Sequence, residues 1–126
     1  EKAEGVVTSS YLKDPTDQEW KDAPDMKEWR EFMAKYVPDG DVTDANYVYA
    51  YSVATLMMIV LKQCGDDFSR ENIMKQASNV KPVALPLLLP GMTATTTPTD
   101  FRPLKQLQLM RWKGGGWERF GEIIGA

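Results

Sequence analysis

A chain of 126 residues, 43% hydrophobic and 26% charged, has room for one domain's core and the polarity of an ordinary water-facing protein. Its net charge of −3, with lysines and arginines scattered along the chain, excludes the basic footprint of a nucleic-acid binder. The absence of histidine removes the commonest general base, the Ser-His and Cys-His nucleophiles and most zinc sites, and a single cysteine, Cys64, allows no internal disulfide.

The chain opens at Glu1-Lys2 with neither Met nor the apolar core of a signal peptide, and runs at once into a strand, as expected of a truncated product. Gly5 to Tyr11 (GVVTSSY) reads as a short strand, with Val6 and Val7 followed by small hydroxyl residues. Thr16 to Trp20 predicts one helical turn, Thr16 capping it and Glu19 reaching back. Asp25 to Val37 predicts an amphipathic helix with Met26, Trp29, Phe32, Met33 and Tyr36 inward and Lys27, Glu28, Glu31 and Lys35 outward. Asp25 and Glu28 have capping-box spacing, which accounts for this pair of acids without a catalytic role. Pro38-Asp39-Gly40 then turns the chain.

Thr43 to Gly65 (TDANYVYAYSVATLMMIVLKQCG) is the most apolar stretch. Thr43, Asp44 and Asn46 offer side-chain acceptors to a first turn, and Lys62 and Gly65 suit a helix end. Its apolar residues fall on every face, Tyr47, Tyr51, Met58 and Leu61 on one side and Tyr49, Val53, Leu56 and Val60 on another. Such a helix is expected to be covered on most sides. The run is shorter than the ~20 apolar residues that a bilayer demands, so a buried core element is expected, with Cys64 a small buried thiol at its end.

Ser69 is placed to cap a third helix, Arg70 to about Asn79, with Ile73, Met74 and Ala77 inward and Glu71 paired to Lys75. From Pro82 the chain is extended, because Pro82, Pro86 and Pro90 around Leu87-Leu88-Leu89 argue against a central strand. Met92 to Thr97 continues extended and Pro98-Thr99-Asp100 turns. Leu104 to Trp112 and Trp117 to Ile124 read as strands joined through Lys113-Gly114-Gly115-Gly116, a hairpin connection with no following helix to make it a phosphate loop.

Three helices with so few strands lack an apolar partner, so the chain reads as the C-terminal part of a larger α/β protein. In isolation it is expected to self-associate through the uncovered face.

The strings GVVTSSYLKDPTD, MKEWREFMAKY, PDGDVTDANYVYAYSVA, VLKQCGDDFSRENIMKQA, LLLPGMTATTTPTDFRPLKQLQLMRW and WERFGEII, in that order, resemble the C-terminal third of the substrate-binding proteins of ABC importers, of the branched-chain amino-acid (Leu/Ile/Val) type. The resemblance implies a two-lobed type I periplasmic binding fold with hinge crossovers. Residues 1–97 would be the returning part of lobe 1 with its crossover strands, and 98–126 a segment on lobe 2. It implies a periplasmic, non-enzymatic solute-binding component that delivers a small amphipathic carboxylate, a branched-chain or aromatic amino acid or an aromatic acid, to a membrane permease by cleft closure. A ligand-sensing receptor domain on the same scaffold is the alternative, and a carboxylate-based hydrolase fits least. No cofactor and no metal are expected. Most ligand contacts are expected outside this stretch, leaving Tyr11 at the end of the crossover strand and Tyr47 in the helix's first turn as candidate ligand-binding residues.

Overall fold

The computed structural model describes residues 3–125. In order, its elements are strand β1 (Val7–Ser10), a 3-10 turn (Gln18–Trp20), helices α1 (Pro24–Tyr36), α2 (Ala45–Gln63) and α3 (Arg70–Ala77), and strands β2 (Leu107–Lys113) and β3 (Gly116–Ile124). The fold is α/β: three helices follow β1, and the C-terminal hairpin then pairs with β1 in an antiparallel sheet of order β1-β2-β3. Val7 lies opposite Arg111 and Ser10 opposite Gln108. The hairpin turns through Gly114 and Gly115, at φ 60 and 87, both on the positive side that a tight two-residue turn requires. Trp112 and Trp117 close it edge to face, with ring centroids 5.1 Å apart.

The helix starts follow from short acceptors, though not always the expected ones. Asp44 accepts the Asn46 N–H at 2.8 Å to begin α2, and Ser69 accepts the Asn72 N–H to begin α3. In the 3-10 turn the cap is Asp17 rather than Thr16, whose hydroxyl instead donates to Asp14 at 2.6 Å. Helix α1 has Ala23 as its N-cap and Pro24 as its first residue, and no side chain caps it. The Asp25–Glu28 capping box therefore does not form, because Asp25 is recruited elsewhere.

The core lies between α1, one side of α2 and the extended segment after α3. Met26, Trp29 and Met33 of α1 meet Val48 of α2 and Leu85, Leu87, Leu88, Leu89, Met92 and Ala94. The proline-bracketed leucines thus supply the apolar surface that a sheet would otherwise provide to these helices. Phe32, Tyr36 and Met74, expected inside, are 39%, 61% and 57% exposed. Lys35 lies over the Tyr36 ring, 4.9 Å from its centroid.

Helix α2 departs furthest from expectation. Only Val48, Ser52 and Val60 are buried along it, while Tyr49, Val53, Met57 and Met58 form an exposed apolar stripe. Within the described residues nothing covers that side.

One cluster of polar contacts holds the extended segment in place. The Lys13 N–H donates to the Leu87 carbonyl and the Leu89 N–H donates to the Tyr11 carbonyl, each at 2.9 Å. The Ser52 hydroxyl donates to the Pro86 carbonyl at 2.7 Å. Between these, the Asp25 carboxylate accepts the Leu87 N–H at 2.9 Å and grips the Lys13 ammonium at 2.6 and 2.8 Å. Leu87 sits at φ 66 with its side chain fully buried. A left-handed leucine costs about 1–2 kcal/mol, whereas truncating a buried leucine costs about 2–5 kcal/mol, so the buried side chain outweighs the strain.

Burial by itself would raise the Asp25 carboxyl, but the Lys13 hydrogen bond, the Leu87 N–H and the Lys13 charge together hold it below the ordinary range. A depressed carboxyl stabilises the fold above its unfolded value, near 3.9, and that contribution is lost as pH falls through the lower folded value. Replacing Asp25→Asn is expected to cost about 2–3 kcal/mol in denaturant unfolding at neutral pH, since the Lys13 ammonium loses its counter-charge. The variant is also expected to lack the part of the acid destabilisation that Asp25 carries, so parallel stability curves for the two proteins below pH 4 would refute this role.

Candidate functional site

Strand β1 ends where Ser10 bonds both backbone groups of Leu12, donating to its carbonyl at 3.0 Å and accepting its N–H at 3.2 Å. The turn, together with the Leu89 bond to its carbonyl, fixes the backbone of Tyr11. Its side chain enters a cleft of about 550 Å³ whose other walls are Tyr49 of α2 and residues 101–107. Burial, and then the neighbouring Tyr49, raise the Tyr11 phenol above its ordinary value, so it is a protonated donor at neutral pH.

The far wall is an irregular segment made rigid by its own hydrogen bonds. The Thr95 N–H donates to the Pro103 carbonyl at 2.9 Å, and the Thr93 N–H to the Gln106 side-chain oxygen at 2.8 Å. Asp100 accepts from Arg102 through Nε and Nη2, at 3.0 and 3.1 Å, and from Lys105 Nζ at 3.1 Å. Hydrogen bonds from the Arg102 side chain and backbone, then from Lys105, hold the Asp100 carboxyl far below the usual carboxylate range. The cleft therefore combines three aromatic rings, Tyr11, Tyr49 and Phe101, with two fixed cations.

Tyr47 lies elsewhere. It lines an apolar groove of about 230 Å³ between α1 and α2, with Trp29, Phe32, Met33, Val37 and Tyr51. The Phe32 and Tyr51 rings meet there edge to face at 5.2 Å. No charged side chain lines this groove to orient a polar ligand. Tyr11 and Tyr47 thus belong to different cavities, and the tyrosine that meets Tyr11 is Tyr49. Two positions on a helix are about 200° apart, so Tyr47 and Tyr49 face opposite ways, a signal that the repeat Tyr47-Val48-Tyr49 carries in the sequence. Arg102 falls between the expected turn at 98–100 and the expected strand from Leu104, and Lys105 at the start of that strand, where neither was singled out. Their spacing from Asp100, two and five residues, is the trace they leave.

A further cavity of about 160 Å³ lies beside Trp20, whose ring carries Lys13 Nζ at 5.1 Å and the Arg119 guanidinium at 4.7 Å. Arg119 also pairs with Glu19 at 2.5 Å, joining β3 to the 3-10 turn. Among the described residues no group of acidic, histidine or cysteine side chains could hold a metal ion, and no helix is long and apolar enough to cross a membrane.

No family model and no curated protein matches the sequence. Among solved structures, the fold is similar to a branched chain amino acid ABC transporter from Thermus thermophilus with bound valine, with a TM-score of 0.73 at 15% identity over 98% of this chain. The chain has the fold of a type I periplasmic binding protein fragment. It spans 34% of that structure's length.

The environment of Tyr11 can be read in an absorbance titration. Its phenol is expected to ionise above the ordinary value near 10, as is that of Tyr51, and Tyr11→Phe to remove its own share of that late component from the curve. The raised value stabilises the fold below pH 10 and is lost as pH rises through it. A difference curve between the two proteins centred at or below 10 would place Tyr11 in open water instead.

Proposed function

We propose that this chain is the C-terminal portion of the solute-binding component of an ABC importer, working in the periplasm and handing a small amphipathic carboxylate to a membrane permease. The observation that carries the reading is the likeness of nearly the whole chain to a transporter structure holding valine. The aromatic, cationic cleft at Tyr11 supports it, because an apolar enclosure with a few fixed charges suits a small solute with one ionised end. Closure of two lobes around such a cleft would bury the charge against its donors and require no covalent chemistry. Within this reading residues 1–97 belong to the first lobe and its crossovers and 98–126 to the second. Tyr11 and Tyr47 are its candidate ligand contacts, Tyr11 in this cleft and Tyr47 in the groove between α1 and α2.

Branched-chain and aromatic amino acids and the corresponding acids form the panel for a thermal-shift screen of the full-length protein. A true ligand at a hundredfold excess over its Kd stabilises by about 2.7 kcal/mol, a readily measured rise in midpoint. A flat response across the panel would sink the assignment.

The exposed stripe on α2 supports the same reading, since Val53, Met57 and Met58 are placed to meet apolar surface supplied by the rest of such a protein. The 126-residue chain alone is expected to sediment above its monomer mass, and the double change Val53→Lys with Met57→Lys to restore the monomer. A monodisperse monomer of the unaltered chain at micromolar concentration would contradict this.

A further inference from the structure

The sheet is open at β1, and that open edge is already taken in part. Trp112 of β2 donates its N–H to the Val6 carbonyl at 2.8 Å. Alternation along an antiparallel strand therefore turns the backbone groups of Val6, Thr8 and Ser10 toward β2 and those of Val7 and Ser9 away from it. The same outward edge continues past the end of β1. There the Tyr11 carbonyl accepts the Leu89 N–H, and the Lys13 N–H donates to the Leu87 carbonyl. Tyr11 and Lys13 thus have their partner in the leucine segment, whereas among the described residues no backbone group pairs with Val7 or Ser9 on this side.

The two outer strands of the sheet are built differently. At the far edge β3 carries Glu118, Arg119 and Glu122, and its register slips between the Leu109–Phe120 and Leu107–Ile124 pairs, where Gly121 takes φ 68. Charges and bulges of this kind keep a strand from acquiring a further neighbour. β1 has no such protection. Val6 to Ser10 contains no charge and no proline, and Val6 and Val7 are 49% and 53% exposed. The 126 residues span 34% of the length of the similar structure, so chain enough for another strand lies outside them.

We propose that the free edge of β1 at Val7 and Ser9 is an interface for one further strand, supplied by the part of the protein outside these 126 residues, which makes β1 an interior strand. The inference rests on the reading of this chain as a portion of a larger protein, and not on the identity of its solute. The Leu89 bond to Tyr11 sets where the incoming strand stops, because from that residue onward the leucine segment occupies the edge. An apolar side chain of the newcomer beside the exposed Val7 would complete the pairing.

Amide hydrogen exchange of the full-length protein, read residue by residue by NMR, is the test. The Val7 and Ser9 amides are expected to exchange at least about a hundredfold more slowly there than in the 126-residue chain, while Thr8 and Ser10, bonded to β2, are protected in both. Val7→Pro removes only an outward N–H, so it is expected to lower the unfolding midpoint of the full-length protein more than that of the 126-residue chain. Equal and fast exchange of Val7 and Ser9 in the two proteins would overturn the inference and leave the solute-binding reading to the thermal-shift screen. A flat screen with both amides protected only in the full-length protein would sink that reading and uphold the strand. Protection in the 126-residue chain that grows with its concentration would put a second copy on the edge, against the proposal.

Discussion

The carboxylate of Asp25 is the contact on which the packing of this chain depends. The segment from Val83 to Met92 cannot complete a regular sheet, because Pro86 and Pro90 lack the N–H groups that a ladder needs. It is nevertheless the main apolar partner of α1 and α2, so its position has to be set by other means. Two backbone bonds to the chain at Tyr11 and Lys13, one from Ser52 of α2 and one to Asp25 of α1 do so, drawing on three parts of the sequence at a single point. The left-handed Leu87 is a consequence. Its backbone turns the amide toward Asp25 while the side chain stays in the core, and the buried area and the charge-assisted bond more than offset the strain.

The same point links the core to the sheet. Lys13 grips Asp25 and stands over the Trp20 ring, while Arg119 of β3 approaches that ring and binds Glu19. A cation shared between a carboxylate and an aromatic face couples two contacts that would each be weak at an open surface. The crossing from β1 into the helices is thus cross-braced within a few residues of Tyr11.

What the sequence disclosed, and what it withheld, divides along range. The helices, the hairpin through Gly114 and Gly115, and the extended character of the leucine segment follow from neighbours in the chain, and periodicity, caps and prolines report neighbours. Asp25 shows the limit. Its spacing to Glu28 is that of a capping box, yet its oxygens are taken by Lys13 and Leu87, distant partners that no local pattern reveals. Asp17 displaces Thr16 as a cap because Asp14 claims the threonine hydroxyl first. For α2, composition signalled a helix without a polar face but not which side the chain itself would cover. In the site, Tyr11 was visible as the end of a strand. Tyr49, Arg102 and Lys105 were not, because they line one cleft with it only when α2 and residues 101–107 are brought to the same place.

The cleft inherits its geometry from the clamp. The Leu89 bond that fixes the carbonyl of Tyr11 belongs to the pairing that Asp25 secures through Leu87 and Lys13, so the direction of the Tyr11 ring is set by the packing of α1. The opposite wall is held by Asp100, which restrains Arg102 and Lys105, and by the Thr95 and Thr93 bonds to Pro103 and Gln106. The two walls share one frame, since Ser10 of β1 pairs with Gln108 of β2 and Ala94 bridges to Val83, so the groups that line the cleft are held in place together. Groups held in place beforehand lose little freedom when a small molecule enters between them, the condition under which a few polar contacts suffice for binding.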